Sequence, residues 1–126
     1  MGVTLFYPKD DTPGCTTEAC SLRDNFPHFQ NAQLTVLGIS KDSVTSHKKF
    51  AEKYTLPFII LSDESKEVIQ VYDVWQEKNM MGRKYMGVVR TSFLIDPEGN
   101  IAKIYEKVKP EVHVKEVLSD IQELKR

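Results

Sequence analysis

Apolar residues gather in five short runs, and their spacing outlines the fold. Val3-Thr-Leu-Phe-Tyr7 is β-branched and aromatic and reads as a buried strand. Leu34-Thr-Val-Leu-Gly-Ile-Ser40 and the short Phe58-Ile-Ile-Leu61 read the same way. Between them, Thr16 to about Asn25, Ser43 to about Tyr54 and Ser65–Tyr72 have helical character, and the polar stretch 76–84 reads as a loop. Val88–Ile95 and Ile101–Val108 flank Asp96-Pro-Glu-Gly-Asn100, a strong turn signal, so they are predicted to pair as an antiparallel hairpin. A last helix is predicted from about Pro110 to Leu124. Strands alternating with helices, then a hairpin and a helix, imply an α/β fold with a mixed central sheet flanked by helices on both faces.

Composition narrows the function without naming it. A chain of 126 residues with 40% hydrophobic content suits a single domain around one core. The net charge of −1 carries no basic excess that would point to nucleic acid. No apolar run is long enough to span a bilayer, and the start has no signal-peptide pattern. Two cysteines without a targeting segment suit a reducing cytoplasm, where a disulfide is transient and catalytic rather than structural. His28, His47 and His113 are scattered through helical or loop segments, so no metal site is expected. Phe58, Tyr72 and Trp75 are expected to pack the core rather than bind a cofactor.

The chemistry concentrates in Pro8-Lys-Asp-Asp-Thr12-Pro-Gly-Cys15-Thr-Thr-Glu18-Ala-Cys20, which holds both cysteines. Cys15 falls where the first strand gives way to a helix. Unpaired backbone N–H groups and the positive end of the dipole favour an anionic sulfur there. An ordinary thiol, with a pKa of ~8.5, is mostly protonated at neutral pH, and the thiolate is the nucleophile. In a continuous helix, positions five apart are separated by ~500° of rotation and ~7.5 Å of rise. A disulfide needs Cα atoms within ~7 Å. Joining Cys15 to Cys20 therefore requires the first turns of the helix to unwind, which weak helix formers such as Thr16 and Thr17 permit.

The spacing Pro8-x-x-x-Thr12-x-x-Cys15 resembles the active-site signature of the peroxiredoxins, and Cys20 five residues on resembles their bacterioferritin comigratory protein (peroxiredoxin Q) branch. The resemblance runs from Phe6-Tyr-Pro-Lys-Asp to Arg90-Thr-Ser-Phe-Leu-Ile-Asp96 and covers nearly the whole chain. It implies a thioredoxin-like fold and a thiol peroxidase acting on hydrogen peroxide and organic hydroperoxides without metal or cofactor. In that reading Cys15 is the peroxidatic and Cys20 the resolving cysteine. The two form an intramolecular disulfide that thioredoxin or a similar dithiol reduces. A monomer is expected, with a dimer as the alternative. Pro8 fixes the loop over the sulfur, the Thr12 hydroxyl orients the peroxide, and Arg90 supplies charge and forked donors as the O–O bond lengthens. Arg90 lies among Val88, Val89 and Phe93–Ile95 in what reads as an interior strand, where a charge wants a partner. Glu18, one turn beyond Cys15, is read either as the group that positions the guanidinium or as a surface helix residue.

Members of this branch carry a further hairpin and helix before the strand that opens this chain. Met1-Gly2 reads as an introduced start, with a naturally short variant as the alternative, and loss of those elements is expected to expose part of the sheet. Two rivals follow. A thioredoxin-type oxidoreductase wants C-x-x-C and a proline ahead of the late strand, whereas this chain has C-x-x-x-x-C and no proline between Pro57 and Pro97. The other rival is an inactive shortened domain with chaperone-like binding.

Overall fold

The computed structural model describes residues 2–124. Met1, on which the reading of the chain's start rests, lies outside them. Seven strands and five helices follow in the order β1 (Gly2–Phe6), α1 (Pro13–Asp24), α2 (Phe26–Asn31), β2 (Thr35–Ser40), α3 (Val44–Tyr54), β3 (Ile59–Ser62), α4 (Glu67–Val71), β4 (Trp75–Met80), β5 (Arg83–Val88), β6 (Thr91–Ile95), β7 (Ile101–Tyr105) and α5 (His113–Leu124).

The main sheet has the order β3-β2-β1-β6-β7. Its first three strands are parallel, with Val3 opposite Val36 and Leu37 opposite Ile59. β6 runs antiparallel to both β1 and β7. The predicted mixed sheet is therefore present. Alternation along β1 divides its apolar side chains between two layers. Val3 and Leu5 join Leu22, Phe29, Leu94, Val117 and Ile121, which brings α1, α2 and α5 onto one side. Phe6 joins Ile39, Ile69, Val88 and Phe93 on the other, under α4. Each such side chain contributes ~1.5–3 kcal/mol by leaving water. Between them they fix β1 at the centre, with its C-terminal end delivering the cysteine loop.

Several boundaries differ from those the sequence predicts. The stretch 76–84 is not a loop: β4 and β5 form a separate antiparallel hairpin with Trp75 opposite Val88. Its turn is Met81-Gly82, both at positive φ, the left-handed pair that a two-residue hairpin turn requires. Val88–Ile95 is not one strand, because the chain leaves the hairpin at Val88 and enters the main sheet at Thr91, with Arg90 in the gap. α1 begins three residues earlier than expected because Pro13 occupies the first turn, where its missing N–H costs nothing. α2 was not anticipated, α4 is shorter, β7 stops at Tyr105, and α5 starts at His113.

Candidate active site

After β1 the chain stays extended at Tyr7, whose N–H donates to the Ile39 carbonyl at 3.1 Å. Pro8 follows in a bend and Asp11 adopts φ 55, so the loop turns back on itself before α1. Thr12 is the N-cap residue, and its carbonyl accepts the first helical bond from Thr16 N at 2.8 Å. Its hydroxyl does not cap the helix. It donates instead to the Lys9 carbonyl at 2.9 Å, closing the loop on itself. Cys15 is then the third helical residue, within the turn whose N–H groups have no helical acceptor.

The sequence places Arg90 75 residues away from Cys15, and the fold joins them: Arg90 Nη2 donates to Cys15 Sγ at 3.1 Å. The break between β5 and β6 makes this reach available. Arg90's carbonyl accepts from Val108 N at 3.1 Å, which holds its backbone at the junction of the two sheets. Gly14 makes room for the guanidinium, since a Cβ there would stand 3.0 Å from Arg90 Nη2. Cys15 is only 3% exposed and lies against Tyr7, Ala19 and Phe50, beside a cavity of about 10 Å³ that Leu22, Phe58 and Ile60 also line.

Glu18 is not a surface residue. Its side chain is 4% exposed, and its Oε1 lies 3.7 Å from Arg90 Nη1. That distance is an ion-pair contact rather than a hydrogen bond. Among the described residues Glu18 Oε2 and Arg90 Nη1 are both buried without a hydrogen-bond partner. Burial pushes the Glu18 carboxyl up to about 7, and the neighbouring Arg90 charge offsets only part of that. Arg90 thus spends one nitrogen on sulfur and presents another N–H, unpaired and desolvated, beside it.

Of the residues singled out from sequence, Cys15, Arg90 and Glu18 form one cluster. Pro8 and Thr12 shape the loop over it, with the Thr12 hydroxyl engaged at Lys9 rather than at the sulfur. Cys20 sits two residues after Glu18 in the same unbroken helix, partly exposed, and both thiols are free.

Two contributions were not legible in the chain. Lys78, in a stretch read as loop, reaches back from β4 and donates to the Val88 carbonyl at 3.1 Å. Its stem lies over Gly87, whose hypothetical Cβ would meet Lys78 Cδ at 3.0 Å. Burial first and the Arg90 charge second lower its pKa, while the attraction of Cys15 opposes them. His47 is the other. It is buried among Tyr7, Asp10 and Asp42. The ligand atoms of Asp10, Asp42 and His47 come within 4.8 Å of one another. Protein groups already engage them: Asp10 Oδ1 accepts from Tyr7, Asp10 Oδ2 from Ser46, Asp42 Oδ2 from Asp10 N and Ser40 Oγ, and both His47 nitrogens face protein acceptors.

A thioredoxin-type mixed sheet that carries a cysteine in the first turn of its first helix, with an arginine from a later strand junction on the sulfur, defines a thiol-dependent redox enzyme. The AhpC/TSA family model matches residues 1–104. The chain is 53% identical over 116 residues to a putative peroxiredoxin Bcp of Coxiella burnetii, covering 92% of this chain and 77% of that one. It is 45% identical over 122 residues to peroxiredoxin Bcp of Bacillus subtilis, covering 97% and 78%. A structure of the Xanthomonas campestris bacterioferritin comigratory protein, solved for its alkyl peroxide reduction activity, superposes with a TM-score of 0.93 at 38% identity, covering 99% of this chain and 80% of that one. The chain belongs to the AhpC/TSA family and is a peroxiredoxin of the Bcp branch, a peroxidase. Among the described residues no helix is long and apolar enough to cross a membrane.

Proposed function

We propose that Cys15 is the reacting sulfur, Arg90 its electrostatic partner and Cys20 the thiol that resolves the product. The observation that carries this reading is the pairing of Arg90 Nη2 with Cys15 Sγ at 3.1 Å while Arg90 Nη1 remains an unpaired buried donor. A peroxide entering beside the sulfur gives Nη1 an acceptor. As the thiolate attacks the distal oxygen, a sulfur–oxygen bond forms and the O–O bond breaks. The departing oxygen becomes hydroxide or alkoxide and takes up a proton. The guanidinium counters the charge that moves onto the departing oxygen, a stabilisation that grows toward the transition state. Pro8 and Thr12 keep the loop closed over the reacting atoms, and a Thr12 lone pair is available to the peroxide proton.

The product is a sulfenic acid on Cys15. Cys20 gives up its proton and attacks that sulfur as a thiolate, the S–O bond breaks, the departing hydroxide takes up a proton to leave as water, and a Cys15–Cys20 disulfide remains. The intact α1 keeps the two side chains apart, so resolution needs the helix between them to open. An external dithiol of the thioredoxin type restores both thiols by exchange. Organic hydroperoxides react by the same steps, with an alcohol as the product. Cys15→Ser is expected to abolish peroxide turnover in a reductant-coupled assay. Turnover at the wild-type rate in that variant would overturn the assignment.

A further inference from the structure

We propose that a buried ion pair between the His47 imidazolium and the Asp10 carboxylate locks the cysteine loop onto α3, making His47 and Asp10 positioning residues for the peroxide step. The inference rests on the reading of Cys15 as the reacting sulfur.

Asp10 lies in the loop itself, two residues before Thr12 and five before Cys15. Its side chain is 4% exposed and that of His47 5%. Asp10 Oδ1 accepts from the Tyr7 hydroxyl at 2.6 Å, and Oδ2 accepts from Ser46 Oγ at 2.8 Å while standing 2.6 Å from His47 Nδ1. The other ring nitrogen, Nε2, is 3.0 Å from the Leu61 carbonyl on β3. A carbonyl only accepts, so Nε2 must carry a proton. Asp10 already accepts from Tyr7 and Ser46, bonds that favour its anionic form, and a bare Nδ1 would face that carboxylate lone pair against lone pair, so the shared proton belongs on Nδ1. The geometry therefore calls for the doubly protonated ring, which ties the loop, α3 and β3 together.

The groups facing that ring agree with a cation there. Asp10 comes from the loop, Tyr7 from the end of β1, and Asp42 from the turn after β2, where it also accepts from Asp10 N at 2.9 Å and from Ser40 Oγ at 2.6 Å. Burial opposes charge on His47, but the hydrogen bond and charge of Asp10, the Leu61 carbonyl and Asp42 raise its pKa above the ordinary imidazole value. Burial likewise opposes the Asp10 anion, and the bonds from His47, Tyr7 and Ser46 lower its pKa despite that. Burial first and the Asp10 bond second push the Tyr7 phenol up, so it stays a neutral donor.

The next loop residue has a tether of another kind. Asp11 binds Lys53 Nζ and the Tyr54 hydroxyl, each at 2.8 Å, but in the open, where such pairs hold little. The desolvated pair at Asp10 therefore governs how firmly the loop holds Thr12 and the start of α1. The doubly protonated ring is the locked form, and because its imidazole value is raised the lock is present below the unfolded value and is lost as pH rises through the folded-state one. The rate of Cys15 oxidation should then fall on the alkaline side.

The test has three arms on the reduced full chain. Nitrogen-15 NMR of the His47 ring should show both nitrogens protonated at neutral pH, and a neutral ring there would overturn the proposal. Rapid-quench measurement of Cys15 oxidation by hydrogen peroxide should show His47→Gln slowed by about tenfold or more. It should also remove the alkaline fall in rate while leaving the later disulfide step intact. A rate within about twofold of wild type, with the alkaline fall retained, would overturn it. Should that variant not fold, the wild-type profile decides. An alkaline fall that tracks the NMR midpoint of His47 supports the lock, and its absence defeats it. Cys15→Ser, run beside these, separates the two claims: oxidation persisting there would remove the reading of Cys15 and not the lock.

Discussion

Replacing Glu18 by Gln tests the electrostatics of the site through stability alone. The carboxyl is buried beside Arg90 but too far for a hydrogen bond, and its Oε2 has no partner among the described residues. Burial raises it from an ordinary 4.5 to about 7. A raised folded-state value means that the folded protein holds this proton more tightly than the unfolded chain. Stability from this group is then fully present below the unfolded value and is lost as pH rises through the folded one. At ~1.4 kcal/mol per pH unit, the gap corresponds to about 3 kcal/mol as an upper bound. Glutamine keeps the shape and cannot ionise. Urea unfolding of both proteins across this window should show wild type losing stability relative to Glu18→Gln by up to that amount as pH rises from about 4.5 to about 8. Using the difference between two pH values removes the unknown cost of the amide itself. A stability difference that stays flat over this window would refute the claim that Glu18 titrates in a desolvated site.

The remaining predictions concern the sulfur chemistry. Arg90→Lys keeps the charge but loses the fork that lets one nitrogen hold sulfur while another meets peroxide, so the second-order rate with peroxide should fall by about a hundredfold in stopped-flow; an unchanged rate would make Arg90 merely structural. Oxidation to the Cys15–Cys20 disulfide should raise amide hydrogen exchange between Thr16 and Arg23 while β6 and β7 change little, and Cys20→Ser should block that rise. Equal protection of α1 in both redox states, with the disulfide confirmed by mass, would contradict the opening of the helix.

The parts of this fold that were legible in the chain are those whose burial leaves a one-dimensional trace. β1 and β2 are apolar because each is paired on both sides within the sheet, and the Asp96–Asn100 turn announces the β6–β7 pairing; Phe58–Leu61, which reads as a buried strand, instead gives the edge strand β3, whose Ile59 and Leu61 are exposed. The active-site loop was readable because its unusual residues stand together. The β4–β5 hairpin was not, since it lies apart from the main sheet and most of β5 is exposed, so little apolar alternation marks it. Its Met81-Gly82 turn also lacks the usual Asn-Gly signal. Pro27 hides α2 in the sequence because it suggests a break, whereas at the first turn it fits the helix. Val88–Ile95 has apolar residues on both sides of Arg90-Thr-Ser92 with no glycine or proline between them, and nothing local reveals that the chain changes sheets there. Asp10 and His47 are 37 positions apart, and their pairing depends on how α3 seats against the loop. Helical spacing alone does not say which face Arg90 will cover, so the sequence allows Glu18 both a site and a surface reading.

The central claim, that Cys15 is oxidised by peroxide and resolved by Cys20, is tested most directly by titrating the reduced chain with hydrogen peroxide and reading intact mass. Wild type should lose two hydrogens after one equivalent and contain an intramolecular disulfide in its peptide map. Cys20→Ser should gain one oxygen on Cys15 and take up more as peroxide continues, whereas Cys15→Ser should be unchanged at that dose. Equal oxidation of Cys15→Ser, or a wild-type product with oxygen on sulfur and no disulfide, would contradict the account.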